Sequence, residues 1–138
     1  MSERLLIQQV MSQVPVTVSV GESVRTAKGI MDMHEIRHLP VVDGSEVIGI
    51  VSEREVLLAM SMLGESSPDE TAIENICVFE DYAVEPTTPL VKVLTEMAER
   101  HIGSALVMSS GHLLGIFTST DACKLWAKEM KGEKIGNL

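Results

Sequence analysis

The chain has 138 residues, 45% of them apolar and only 3% aromatic, with a formal net charge of −9. This composition excludes a disordered chain and suits one compact domain, or two small halves sharing a core of aliphatic residues and Met. The acidic excess argues against sequence-independent binding of nucleic acid, which needs Lys and Arg to neutralise phosphates, although a single Arg in a groove still suits a small anion.

Residues 1–13 form a lead-in with a helical turn or two around Leu5, Leu6 and Val10. Residues 14–20 alternate around Pro15, with Val16, Val18 and Val20 on one side, which predicts a short edge strand. After a turn at 21–23, Val24, Ala27, Ile30, Met31 and His34 share one face of a helix over 24–34. Residues 39–42 and 47–51 are two strands joined at Asp43-Gly44-Ser45-Glu46, where Asp-Gly is a hairpin signal. Ser52 caps a helix running to about Met62. A linker rich in Gly, Ser, Pro and acid covers 63–75.

The pattern then returns. Residues 82–84 are a short strand, and Thr88 caps a helix with Pro89 in its first turn. Leu90, Val93, Leu94, Met97 and Ala98 form the buried face of that helix. Residues 104–108 and 113–117 make a hairpin, a helix over 119–131 buries Ala122, Leu125, Trp126 and Met130, and 132–138 is a polar tail. Shifted by 66 residues, 24–55 lies on 90–121 without a gap: Met31 meets Met97, Ile36 meets Ile102, Val41 meets Val107, and Gly49-Ile50 meets Gly115-Ile116. Such duplication implies two copies of one β-α-β-β-α unit.

Each copy ends its hairpin with a glycine, two apolar residues, a hydroxyl, two spacers and a carboxylate: Gly49 to Ser52 and Glu55, Gly115 to Thr118 and Asp121. A glycine inside a strand marks the close approach of a ligand or of another backbone. The hydroxyl stands where a helix begins, and free N–H groups there suit phosphate. The carboxylate one turn on suits the paired hydroxyls of a ribose. Ser-x-x-Glu is also a capping box, and this reading is the stronger one at Ser52–Glu55 because the shorter Asp121 makes a poorer box. Arg37 and His38 put basic side chains at the mouth of a strand, beside a groove or simply solvated; the second copy has Gly103 and Ser104 there.

Cys77 and Cys123 form no CxxC pair, so a disulfide scaffold and a zinc site are both poorly supported. The histidines form no HxxxH or HExxH pattern, and no P-loop, GxGxxG or nucleophile elbow occurs, so nothing indicates an enzyme or a metal site. No signal peptide is visible, and no run approaches the ~20 apolar residues of a membrane span, which predicts a cytoplasmic protein.

The repeat, the strand Arg37-His38-Leu39-Pro40-Val41-Val42-Asp43 and the two Gly-x-x-Ser/Thr-x-x-acid ends resemble a tandem pair of CBS domains, also called a Bateman module. The resemblance implies an α+β fold of two β-α-β-β-α repeats, 10–62 and 76–131, packed as a pseudo-twofold pair. It implies a cleft for adenosyl ligands such as AMP, ADP, ATP or S-adenosylmethionine, bound as regulatory ligands and not as required cofactors. Asp121 would then hold the ribose and Thr118 a phosphate oxygen. Val84, Glu85 and Pro86 would line the adenine, with Arg37, His38, Ser104 and Ala105 also at the ligand. A weaker second site would comprise Ser52, Glu55, Val18 and Pro40. It further implies a homodimer formed through the helices. A separate, unidentified target protein is expected, and neither nucleic acid nor membrane as partner. The rival expectation is an interaction module of the same fold with an empty cleft.

Overall fold

Two four-stranded sheets, each built around one hairpin, organise the chain. The computed structural model describes residues 4–13, 16–63, 71–76, 78–79 and 82–133. The tail from 134, most of the expected linker (64–70), Val14, Pro15 and Cys77 lie outside the described residues. The elements are β1 (Ser12–Gln13), β2 (Val18–Ser19), α1 (Val24–His34), β3 (His38–Asp43), β4 (Glu46–Ser52), α2 (Glu53–Leu63), β5 (Val78–Phe79), β6 (Ala83–Val84), α3 (Leu90–Arg100), β7 (Ser104–Ser109), β8 (His112–Thr118) and α4 (Ser119–Lys131). Short 3-10 helices at Ile7–Gln9 and Ile73–Asn75 precede β1 and β5.

The sheets run β2-β3-β4-β5 and β1-β8-β7-β6. Their inner strands are the two hairpins, antiparallel with His38 opposite Ser52 and Ser104 opposite Thr118. Both hairpins shift register at the same place, between Val41 and Val42 and between Val107 and Met108. The flanking strands β2 and β6 are parallel to β3 and β7, pairing Val18 with Val41 and Val84 with Val107. The fourth strand of each sheet comes from the other end of the repeat order: β1 pairs with β8, and β5 with β4.

The chain accordingly divides into two compact units, one of residues 1–14 and 82–138, the other Pro15–Asp81. Backbone hydrogen bonds seat the lead-ins in the same way at both places. The Ile7 N–H donates to Thr88 O and the Leu90 N–H to Leu5 O, both at 2.8 Å. The Ile73 N–H donates to Glu22 O (2.8 Å) and the Val24 N–H to Thr71 O (2.9 Å). Residues 71–75 are therefore not linker: Ile73 is fully buried in the core of its unit, as Ile7 is in the other.

Several local expectations change for the same reason. Pro89, not Thr88, is the residue before α3, and no side chain caps this helix; the Leu5 carbonyl takes the first helical N–H instead. The buried stripe of α3 is Leu90, Val93 and Met97, one residue per turn, while Leu94 and Ala98 are exposed. In α4 no residue is fully buried: Ala122 and Leu125 pack partly against the core, whereas Trp126 and Met130 face outward. The expected edge strand over 14–20 shortens to β2, because only Val18–Ser19 pairs with β3. Both α1 and α3 stop where a residue turns left-handed, Glu35 at φ 53° and His101 at φ 54°, so that the chain reverses into the hairpin.

Candidate functional site

The antiparallel register delivers the end of β8 to the start of α4, and Thr118 occupies the corner. Its backbone is extended, and its N–H donates to Asp121 Oδ2 at 2.9 Å while the Asp121 N–H donates to Thr118 Oγ1 at 3.3 Å. The Thr118 hydroxyl also donates to Oδ2 (3.2 Å), and the Ser12 hydroxyl, arriving on β1, donates to Asp121 Oδ1 at 3.2 Å. Asp121 thus closes a full capping box despite its shorter side chain. At the other corner the Ser52 N–H donates to Glu55 Oε1 (2.8 Å) and the Glu55 N–H to Ser52 Oγ (3.3 Å), as the capping reading expects. The two carboxylates are equally good caps, so capping does not separate them.

Each corner is tied to the turn before its hairpin. The Ser119 N–H donates to Gly103 O (3.0 Å), and the Glu53 N–H to Arg37 O (2.8 Å). The Arg37 side chain is 79% exposed, with Nε 4.0 Å from Glu53 Oε1. A pair so exposed contributes little stability and leaves the guanidinium able to turn to an anion. His38 and Ser104 are half-buried, opposite Ser52 and Thr118.

One sheet end therefore gathers Ser104, Thr118 and Asp121, and the corresponding end of the other gathers Arg37, His38, Ser52 and Glu55. The remaining expected residues lie elsewhere. Because β6 is parallel to β7 and Val84 pairs with Val107, the run Val84-Glu85-Pro86 leads away from the Ser104 end, about 10 Å along the strand. Glu85 is exposed, and the Pro86 carbonyl accepts the Gln8 N–H at 3.1 Å. Ala105 and Val18 are buried in the cores of their units, and Pro40 is buried in the middle of β3.

Sequence reasoning missed Ser12, although a lead-in serine 66 residues before a valine (Val78) was a visible asymmetry in the repeat. For a glycine inside a strand the sequence allows either a ligand or another backbone as the close neighbour. The structure answers for Gly115: a Cβ there would lie 2.7 Å from the Ser12 carbonyl oxygen and 2.6 Å from Met11 Sδ. The approaching backbone is β1.

A model of the CBS domain matches residues 7–62 and 73–128. These ranges begin at Ile7 and Ile73, the residues that open the two 3-10 helices. The chain is 30% identical over 138 residues to an uncharacterised protein of Methanocaldococcus jannaschii, a match covering 96% of this chain and 31% of that protein. It is 22% identical to the CBS domain-containing protein YhcV of Bacillus subtilis, covering 96% of this chain and 94% of YhcV. The first curated relatives are longer, and this chain spans only 21–31% of them. Among solved structures, the CBS domain pair of protein MJ0100 in complex with 5′-methylthioadenosine and S-adenosyl-L-methionine has a TM-score of 0.78 at 25% identity, covering 88% of this chain and 99% of that one. An uncharacterised conserved protein from Pyrococcus horikoshii has a TM-score of 0.81 at 24% identity, with both chains covered completely.

Proposed function

Because the chain belongs to the CBS-domain family and carries the domain twice, we propose that it is a regulatory module that binds an adenosine-bearing small molecule and reports its occupancy to a partner protein. The observation that carries this reading is the corner at Thr118 and Asp121, a carboxylate and a hydroxyl held together at a helix start. The similarity to a domain pair solved with two adenosyl ligands supports it.

In this reading Asp121 takes the ribose hydroxyls, and Thr118, whose N–H and hydroxyl both donate to Asp121, holds that carboxylate in place instead of taking a phosphate oxygen. Arg37 and His38 supply positive charge for an anionic group, and Ser104 a hydroxyl opposite Thr118, whereas Val84, Glu85 and Pro86 lead away from the Ser104 end. Ser52 and Glu55 form the weaker second site. Ala105, Val18 and Pro40, being buried, act as packing behind these positions. Regulation requires the ligand to bind two states of the module unequally; equal affinity shifts nothing.

A second reading, an interaction module that works without ligand, is favoured by one observation. Met33, Met62, Trp126 and Met130 expose between 67% and 79% of their surface on helices. Such residues suit a protein partner, including a second copy of this chain.

Thermal unfolding with AMP, ATP, S-adenosylmethionine and 5′-methylthioadenosine separates the two. A ligand at about 100 times its Kd stabilises by about 2.7 kcal/mol. We expect at least one adenosyl compound to raise the midpoint while guanosine and cytidine nucleotides at equal concentration do not. No shift with any of the four overturns the adenosyl reading and leaves the interaction module.

A further inference from the structure

We propose that Ser12 is a specificity-determining residue of the Asp121 site, so that the Ser12–Asp121 pair, rather than the carboxylate alone, receives the two ribose hydroxyls. This assignment rests on the adenosyl reading above and adds a residue to it.

A carboxylate offers about four acceptor directions, two on each oxygen. Both directions of Asp121 Oδ2 are engaged, one by the Thr118 N–H and one by the Thr118 hydroxyl. Oδ1 accepts from the Ser12 hydroxyl. Among the described residues one acceptor direction is left, on Oδ1, whereas a ribose diol brings two donors. The first hydroxyl donates to Oδ1. The second finds its acceptor in Ser12 Oγ, which keeps both lone pairs when its proton is given to Oδ1. Ser12 Oγ and Asp121 Oδ1 stand 3.2 Å apart, so a diol presents its two donors to adjacent oxygens.

Among the described residues the fold makes this arrangement at one corner. Ser12 arrives because β1 pairs with β8, Ser12 opposite Ile116 and Gln13 opposite Gly115. Any side chain on Gly115 would strike Met11 and the Ser12 carbonyl, so the glycine admits the strand that carries the hydroxyl. In the other unit the register place of Ser12, opposite Ile116, is that of Val78, opposite Ile50, a residue type without a hydroxyl. Ser12 is exposed and belongs to no core cluster, so replacing it removes the hydroxyl and spares the packing.

The test is calorimetric titration of the full chain with AMP, 2′-deoxy-AMP and 3′-deoxy-AMP. For the wild-type chain each deoxy compound should bind about tenfold more weakly than AMP. In Ser12→Ala, AMP itself should weaken about tenfold, and one of the two deoxy compounds should bind as well as AMP does, because its missing hydroxyl no longer has an acceptor. Ser12→Thr, which keeps the hydroxyl, should retain both penalties. Unchanged penalties in Ser12→Ala, or tighter binding of AMP, overturn the assignment while the adenosyl reading stands. If the wild-type chain binds AMP, ATP, S-adenosylmethionine and 5′-methylthioadenosine not at all, the adenosyl reading fails and takes the assignment with it.

Discussion

At the scale of single residues the two repeats fill one core shape with different side chains. Leu39 faces Val51 across the first hairpin, and the same two positions in the second hold Ala105 and Phe117. All four are fully buried. The volume lost at Ala105 is returned by Phe117 on the residue directly opposite, the kind of exchange a packed core tolerates. Ala105→Leu should therefore overpack its unit and cost about 1–3 kcal/mol in denaturant unfolding, and adding Phe117→Val should recover most of that loss. Additive costs in the double variant would show that the two positions do not share one space. The large residue in this pair changes sides between repeats, which a position-by-position alignment cannot display. The same limit hid the reason for Gly115, since the neighbour it accommodates lies about a hundred residues away in sequence.

At the scale of elements, the parts with strong local signals were legible. The helices at 24–34 and 119–131 lie where periodicity and capping place them, and the hairpins extend the expected strands by a residue or two. What escaped were the lead-ins. Their likeness is confined to Ile7 with Ile73 and to apolar pairs such as Val10 with Ile76, and the Gly, Ser, Pro and acid of the preceding stretch carried the linker reading past its end. Pairing partners of two-residue strands leave almost no periodic trace, so the exchange of β1 and β5 between the two repeats was not readable. The consequence is measurable. Ile73→Ala, in a segment that composition alone calls a linker, should cost about 2–5 kcal/mol in equilibrium unfolding, as expected for a fully buried isoleucine. A loss below about 0.5 kcal/mol, typical of a surface change, would contradict its place in the core.

At the scale of the whole molecule, charge is divided unevenly. Residues 15–81 hold 13 acidic and four basic residues, whereas the remainder holds seven of each. The entire net charge of −9 thus belongs to the unit that carries Glu55, and the unit that carries Asp121 is neutral. A phosphate-bearing ligand meets less repulsion at the neutral unit. This asymmetry, the Ser12 hydroxyl and the choice of Asp over Glu all favour the same corner, while the capping geometry favours neither. The motif at each corner and the expected ranking of the two come from the sequence, but the hydrogen bond from Ser12 to Asp121 was not readable there, because a strand about a hundred residues away supplies it.

The most direct measurement is titration of AMP into the wild-type chain and into Asp121→Ala and Glu55→Ala, with the fold of each variant checked by its unfolding midpoint. Removal of either capping-box carboxylate should cost up to about 1 kcal/mol of stability, so both variants remain folded for the titration. Asp121→Ala should weaken AMP by about thirtyfold or more, and Glu55→Ala by no more than about threefold. AMP bound by Asp121→Ala as tightly as by the wild-type chain, or lost only in Glu55→Ala, would contradict the placement of the ligand at the Asp121 corner.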